Sequence, residues 1–215
     1  MLRAMQSLLA GIYDVPLVHD VAEFVLTDRG RVPPARGDNG ADEQVLVAQE
    51  GDTLWIGVYL EPGVLRRLTS ENPFDALHGG NIADTLTALE GVSHFVRLAW
   101  SAAHGRPVTL LELELQGEID KYVGTLWLLR EQHPERFPVE LHHVLFERAR
   151  VDSVLAGERI ALYRRANAYA ARFCRRLARG LIRAGSAPHA AAVAELRRFY
   201  RMNRERKFHH IERAA

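Results

Sequence analysis

Two short sets of polar residues place proton-carrying and metal-ligating groups on common helix faces. Thr87, Glu90, His94, Arg97 and Ser101 recur at intervals of three and four. At about 100° per residue they fall within a wedge of roughly 80°. Glu114, Glu118, Lys121 and Thr125 fall within a wedge of roughly 60° by the same construction. Glu90 and His94 are one turn apart, as are Glu114 and Glu118. An imidazole beside carboxylates suits general acid–base chemistry, with Glu118 orienting or tuning His94. Two carboxylates and an imidazole also suit Mn, Fe or Zn, and helical bundles bind metals in this way. Two features argue against a metal. The spacing departs from the paired Glu-x-x-His of di-iron bundles, and Arg97 and Lys121 stand where they repel a cation. The sequence therefore predicts no metal and no other cofactor. Its candidate catalytic residues are His94, Glu90 and Glu118, with Glu114 alongside.

These residues need two helices to present them. Residues 81–103 and 109–130 read as long helices, apolar on most of their circumference and joined by Ala103-His104-Gly105-Arg106-Pro107. Asn81 suits the cap of the first, with Asp84 in its first turn. Thr109 and Glu112 match a capping box for the second. A short loop implies an antiparallel pair. Folding the chain about residues 105–106 sets Arg97 opposite Glu114, His94 opposite Glu118 and Glu90 opposite Lys121. Each pair is complementary, so the stripes also suit a structural ladder that fixes register. Gly117 and Gly124 mark places where a neighbouring backbone can approach.

A third long helix is predicted over about 152–184, with Leu162, Ala166, Tyr169, Phe173, Leu177 and Leu181 among its apolar stripe. Shorter helices are predicted over 2–12, 18–28, 64–68, 139–148 and 189–201. Gln44–Gln49 and Thr53–Leu60, separated by Glu50-Gly51-Asp52, give a hairpin over about 43–60 that has to lie against helices or a partner. Residues 30–41 read as an exposed loop, in which Arg36-Gly37-Asp38 is coincidental. The expected fold class is α+β, mainly α. It is a helical bundle around the antiparallel pair, with the third helix and the N-terminal hairpin. Residues 1–201 form one globular domain in this reading, and 202–215 a basic, peripheral C-terminal tail.

Charge is unevenly spread. Residues 1–120 hold 8 Arg and 18 Asp or Glu, whereas residues 121–215 hold 20 Lys or Arg and 9 acids. The two halves thus present opposite fields to each other or to partners. Arg165, Arg172, Arg176, Arg179 and Arg183 form one helical stripe, and Arg197, Arg198 and Arg201 follow near Phe199 and Tyr200. These are the candidate partner- or anion-binding residues, and basic residues interleaved with aromatics also suit nucleic acid. The single Cys174 excludes an internal disulfide framework and reads as a buried, inert thiol. No apolar run reaches membrane length, and residues 1–13 read as a helix rather than a signal peptide. Nucleotide-binding, nucleophile-elbow and zincin motifs are absent. The first functional expectation is a cytoplasmic accessory protein that binds a larger protein assembly through charged faces. The alternative is an acid–base or metal-assisted hydrolase centred on Glu90, His94, Glu114 and Glu118. A further alternative is an RNA- or DNA-binding module using the Arg-rich half.

Overall fold

A computed structural model describes residues 1–33, 40–147, 157–183 and 189–213. In chain order its elements are α1 (Leu2–Tyr13), β1 (Val25–Leu26), β2 (Glu43–Glu50), β3 (Thr53–Leu60), α2 (Pro62–Ser70), α3 (Ile82–Ala103), α4 (Leu110–Gln132), α5 (Leu141–Phe146), α6 (Gly157–Arg183), α7 (His189–Arg201) and α8 (Arg204–Glu212). The fold is α+β and mainly helical, as expected, with one small sheet.

The antiparallel pair α3–α4 is the centre of the molecule. The hairpin, α1, α2 and α4 surround α3, and α1, α3, α5 and α6 surround α4. This explains why both helices are apolar almost all round. Leu89, Val92, Phe95 and Val96 of α3 join Leu115, Ile119 and Val123 of α4 in one core with residues of α1, α6 and α7. The Thr109–Glu112 capping box is present. Asn81 does something other than cap α3. Its Nδ2 donates to the Glu71 and Ala76 carbonyls and its Oδ1 accepts from His78 N, tying down the preceding loop.

The hairpin turns at Gly51, whose φ of 58° favours glycine. Glu43 pairs with Leu60 at its open end. Sheet order is β1-β3-β2, with β1 parallel to β3. The helix predicted over 18–28 is therefore corrected. Asp20 caps a 3-10 turn at Val21–Phe24, and the chain then enters β1. The free edge of β3 offers Val25 and Leu26 the ladder bonds that a lone short helix could not match.

The hairpin reaches α3 through Gly91. A Cβ there would lie 2.9 Å from Val58 Cγ1 and 3.2 Å from Glu43 Cγ. A glycine inside a helix costs about 1 kcal/mol in propensity, and here it admits the strand that carries Glu43.

The expected peripheral tail is also corrected. Helix α8 spans Arg204–Glu212 and buries Lys207 and Ile211 completely or nearly so. The predicted apolar stripe of α6 is buried at Ala166, Phe173 and Leu177. The expected starts and breaks at 148–156 and 184–188, and the Arg36-Gly37-Asp38 tripeptide, lie outside the described residues. No helix among those described is long and apolar enough to cross a membrane. Cys174 is buried, and burial raises its thiol well above the ordinary range.

Candidate functional site

Glu90 and His94 on α3 meet Glu114, Glu118 and Lys121 on α4, and the start of β2 adds Glu43. His94 faces Gly117 across the helix pair. A Cβ on Gly117 would sit 3.1 Å from His94 Nε2 and 3.9 Å from Glu90 Cγ. The close approach at Gly117 is thus to an imidazole, and at Gly124 to the Leu89 side chain, rather than to a backbone.

The predicted ladder holds at one rung. Lys121 Nζ lies 3.1 Å from Glu90 Oε2, as expected, and also 2.8 Å from Glu118 Oε1. The other two rungs are corrected. His94 pairs with Glu114 and Glu43 instead of Glu118: Nε2 is 3.9 Å from Glu114 Oε2, and Nδ1 is 3.4 Å from Glu43 Oε1. Glu118 is taken by Lys121 and by a hydrogen bond from Asn167 of α6. Arg97 turns away altogether. Its guanidinium donates to the Tyr200 carbonyl and lies over the Trp100 and Tyr200 rings. One of the two charges expected to repel a cation is therefore not at the site.

The site is a funnel in its exposures. Glu90, Glu118 and Lys121 are partly exposed at the rim, and His94 and Glu114 are buried at the floor. Burial alone would lower the His94 pKa. The Glu43 hydrogen bond and the charges of Glu43, Glu114 and Glu90 outweigh it, and push the imidazole up to about 9. Burial raises the Glu114 carboxyl, His94 pulls it back and Glu90 and Glu43 push it on, to about 7. Burial would also raise Glu90, but Lys121 and then His94 hold it below the usual carboxylate range. Glu43 and Glu118 are raised, chiefly by burial. With a neutral imidazole, four carboxylates face one ammonium. Protons on His94 and Glu114 relieve that excess.

Two geometric features bear on metal binding. Ligand atoms of Glu90, His94 and Glu114 lie within 4.8 Å of one another. His94 Nε2 is buried without a hydrogen-bond partner. Once the imidazole gives up its extra proton, a proton kept on Nδ1 and directed at Glu43 would leave the Nε2 lone pair facing Glu114. This is the carboxylate–histidine arrangement that orients metal-binding imidazoles. The site is thus compatible with both proton transfer and cation binding.

Glu43 was not legible as a member of this site. It is 51 residues from His94 and arrives by sheet register, which helical spacing cannot reveal. A second cluster was also missed. Asp120 accepts hydrogen bonds from Tyr13 Oη, from Ser93 Oγ at 2.6 Å and from Gln116 Nε2 at 2.8 Å. The buried Lys207 donates to Gln116 Oε1. Gln116 and Asp120 stand one turn apart, which was the available signal.

The arginines singled out in the second half are spread over different tasks. Arg165 and Arg172 lie over the Tyr169 ring, and Arg165 also over Phe208. Arg176 bonds Glu195 and the His210 carbonyl, and Arg198 also bonds Glu195. Arg197 and Arg201 donate to the carbonyls of Gly11, Ile12, Tyr13 and Asp14 at the end of α1. Arg179 is exposed, and Arg183 ends α6 with its side chain outside the described set.

No protein-family model, curated protein or solved structure matches this chain.

Proposed function

We propose that the protein is a metal-dependent acid–base protein of the hydrolytic class, with Glu90, His94 and Glu114 as metal ligands. The observation that carries this reading is the buried, unpartnered Nε2 of His94 beside two carboxylates. Three protein ligands leave a coordination position for water, the pattern of catalytic rather than structural sites. Glu90, His94 and Glu114 would hold the cation, and the chemistry it would supply there is a water acidified enough to act as a nucleophile near neutral pH. Glu43 fixes the tautomer of His94, and Lys121 holds Glu90 and Glu118 at the rim. The carboxylate and imidazole donors suit Zn or Mn.

The test is titration calorimetry with Zn2+ and Mn2+ on protein stripped of metal. One ion per chain is expected. Glu43→Gln weakens it about ten- to hundredfold, as outer-shell changes do. His94→Ala abolishes saturable binding, and it also removes any metal-stimulated ester hydrolysis. Failure of both ions to bind with defined stoichiometry would sink the proposal.

A second reading, an accessory protein docked on a larger assembly, is favoured by the hairpin. Trp55 and Val47, on its opposite faces, are exposed at 62% and 49%, and β2 lies at the edge of the sheet. Trp55→Lys is expected to disrupt a copurifying assembly while leaving metal binding intact. Coelution unchanged by this substitution would rule against the hairpin as the docking face.

A further inference from the structure

At the other end of the α3–α4 pair, a cleft of about 570 Å³ opens between the α3–α4 loop and the start of α8. Five arginines line it, Arg97, Arg106, Arg201, Arg204 and Arg206, against only Glu112 and Glu205. The Glu112 carboxylate is already engaged by the Thr109 backbone N–H and hydroxyl. The first turns of α4 and α8 both meet the cleft, since their caps Thr109 and Asn203 line it. Each brings the positive end of a helix dipole and N–H groups without helical partners.

Arg97 distinguishes this cleft from an ordinary basic surface. The residue is 2% exposed, yet its Nε has no hydrogen-bond partner. Nη1 is fixed by the Tyr200 carbonyl at 2.9 Å, and the Trp100 and Tyr200 rings hold the guanidinium plane. A buried guanidinium without a carboxylate is costly unless something compensates its charge. Arg106 is preset by its bond to the Arg201 carbonyl and its place over Trp100. Arg204 and Arg206 are exposed, with no side-chain partner among the described residues.

We propose that this cleft binds a small phosphorylated molecule, with the phosphoryl group seated against Arg97 and Arg106 and closed over by Arg204 and Arg206. The planar fork of arginine matches phosphoryl oxygens in pairs. The cleft is also the size of small-molecule sites. A concave site with a buried guanidinium at its floor favours a compact ligand over a polymer backbone. The proposal does not depend on the metal centre.

The probes are inorganic phosphate, pyrophosphate and glycerol 3-phosphate, titrated by calorimetry into the full chain in chelator-free buffer passed over a metal-scavenging resin. One molecule per chain is expected, with the ester and inorganic arms separating an organic ligand from free phosphate. Arg106→Ala and the double variant Arg204→Glu/Arg206→Glu are each expected to weaken binding about tenfold or more, the scale of losing one charged hydrogen-bond partner. Both sites are exposed enough to leave the fold intact, which circular dichroism checks. Arg66→Glu, at an exposed position of α2 away from the cleft, leaves binding unchanged. Absence of saturation with every probe overturns the proposal, as does equal weakening by Arg66→Glu. Binding of a single-stranded oligonucleotide that pyrophosphate cannot displace also overturns it, in favour of nucleic acid.

Discussion

Asp120 and Glu114 lie six residues apart on α4 and are both buried, yet their surroundings differ in kind. Asp120 has Tyr13, Ser93 and Gln116 as donors, and Gln116 in turn accepts from Lys207. Its cluster closes on itself across α1, α3, α4 and α8. Glu114 faces an imidazole nitrogen 3.9 Å away that has no hydrogen-bond partner. Its cluster also carries more carboxylates than cations. A closed network secures the packing of four elements. An open one keeps binding capacity in reserve, with protons filling it meanwhile.

The largest effect separating the two is expected on stability. Asp120→Ala leaves the Tyr13 and Ser93 hydroxyls and the Gln116 amide without their shared acceptor. At about 1–3 kcal/mol for each buried group left unpaired, the loss is about 3 kcal/mol or more. Urea unfolding measures it, and a loss below about 1 kcal/mol, within the range of ordinary surface changes, would break the distinction.

The pH dependence comes next. His94 binds its proton more tightly folded, at about 9, than its ordinary 6.5. Its contribution is full below pH 6.5 and is lost as pH rises through 9. Glu114 is raised from 4.5 to about 7, so it too holds extra protons in the folded state, between those values. Both make the metal-free protein less stable as pH rises from about 4.5 to 9. Metal affinity runs the other way, because ligation displaces the same protons. Chemical denaturation and Zn2+ titration across that range are expected to give slopes of opposite sign. Parallel slopes would mean that protons and metal do not share atoms.

The smallest effect is expected at Gly117. Alanine there gains up to about 1 kcal/mol of helix propensity but crowds His94 Nε2. Stability stays within about 1 kcal/mol of the parent, while metal affinity drops about tenfold, in the range of outer-shell changes. Unaltered affinity would place the ion elsewhere.

Much of this framework could be read from the chain, and the parts that could not share a cause. Helical period located α3 and α4, the Thr109–Glu112 capping box marked the start of α4, and two apolar runs about a turn located the hairpin, because these signals are local. The backbone register of α3 on α4 was also legible, and it delivered the Glu90–Lys121 rung. It failed for His94 and Arg97 because side chains follow the space available. Gly117 gives the His94 ring room to lie near Glu114. The Tyr200 carbonyl, brought by α7 from 103 residues away, draws Arg97 out of the stripe. Glu43 and β1 were illegible for the same reason. Both are placed by β3, whose pairing is a property of the folded chain. The burial of Lys207 also depends on remote partners, Gln116 and the Phe199 and Tyr200 rings.

The clamp of Arg197 and Arg201 on the last carbonyls of α1 has a consequence for the order of events during synthesis. Those contacts join residues 185 to 188 positions apart. The first helix therefore emerges from the ribosome long before the guanidiniums that complete its end exist. Until α7 follows, α1 lacks both its carbonyl partners and the stacked Tyr200 ring on Tyr13. The opening segment has to wait, exposed or shielded by other factors, for a late segment to finish it.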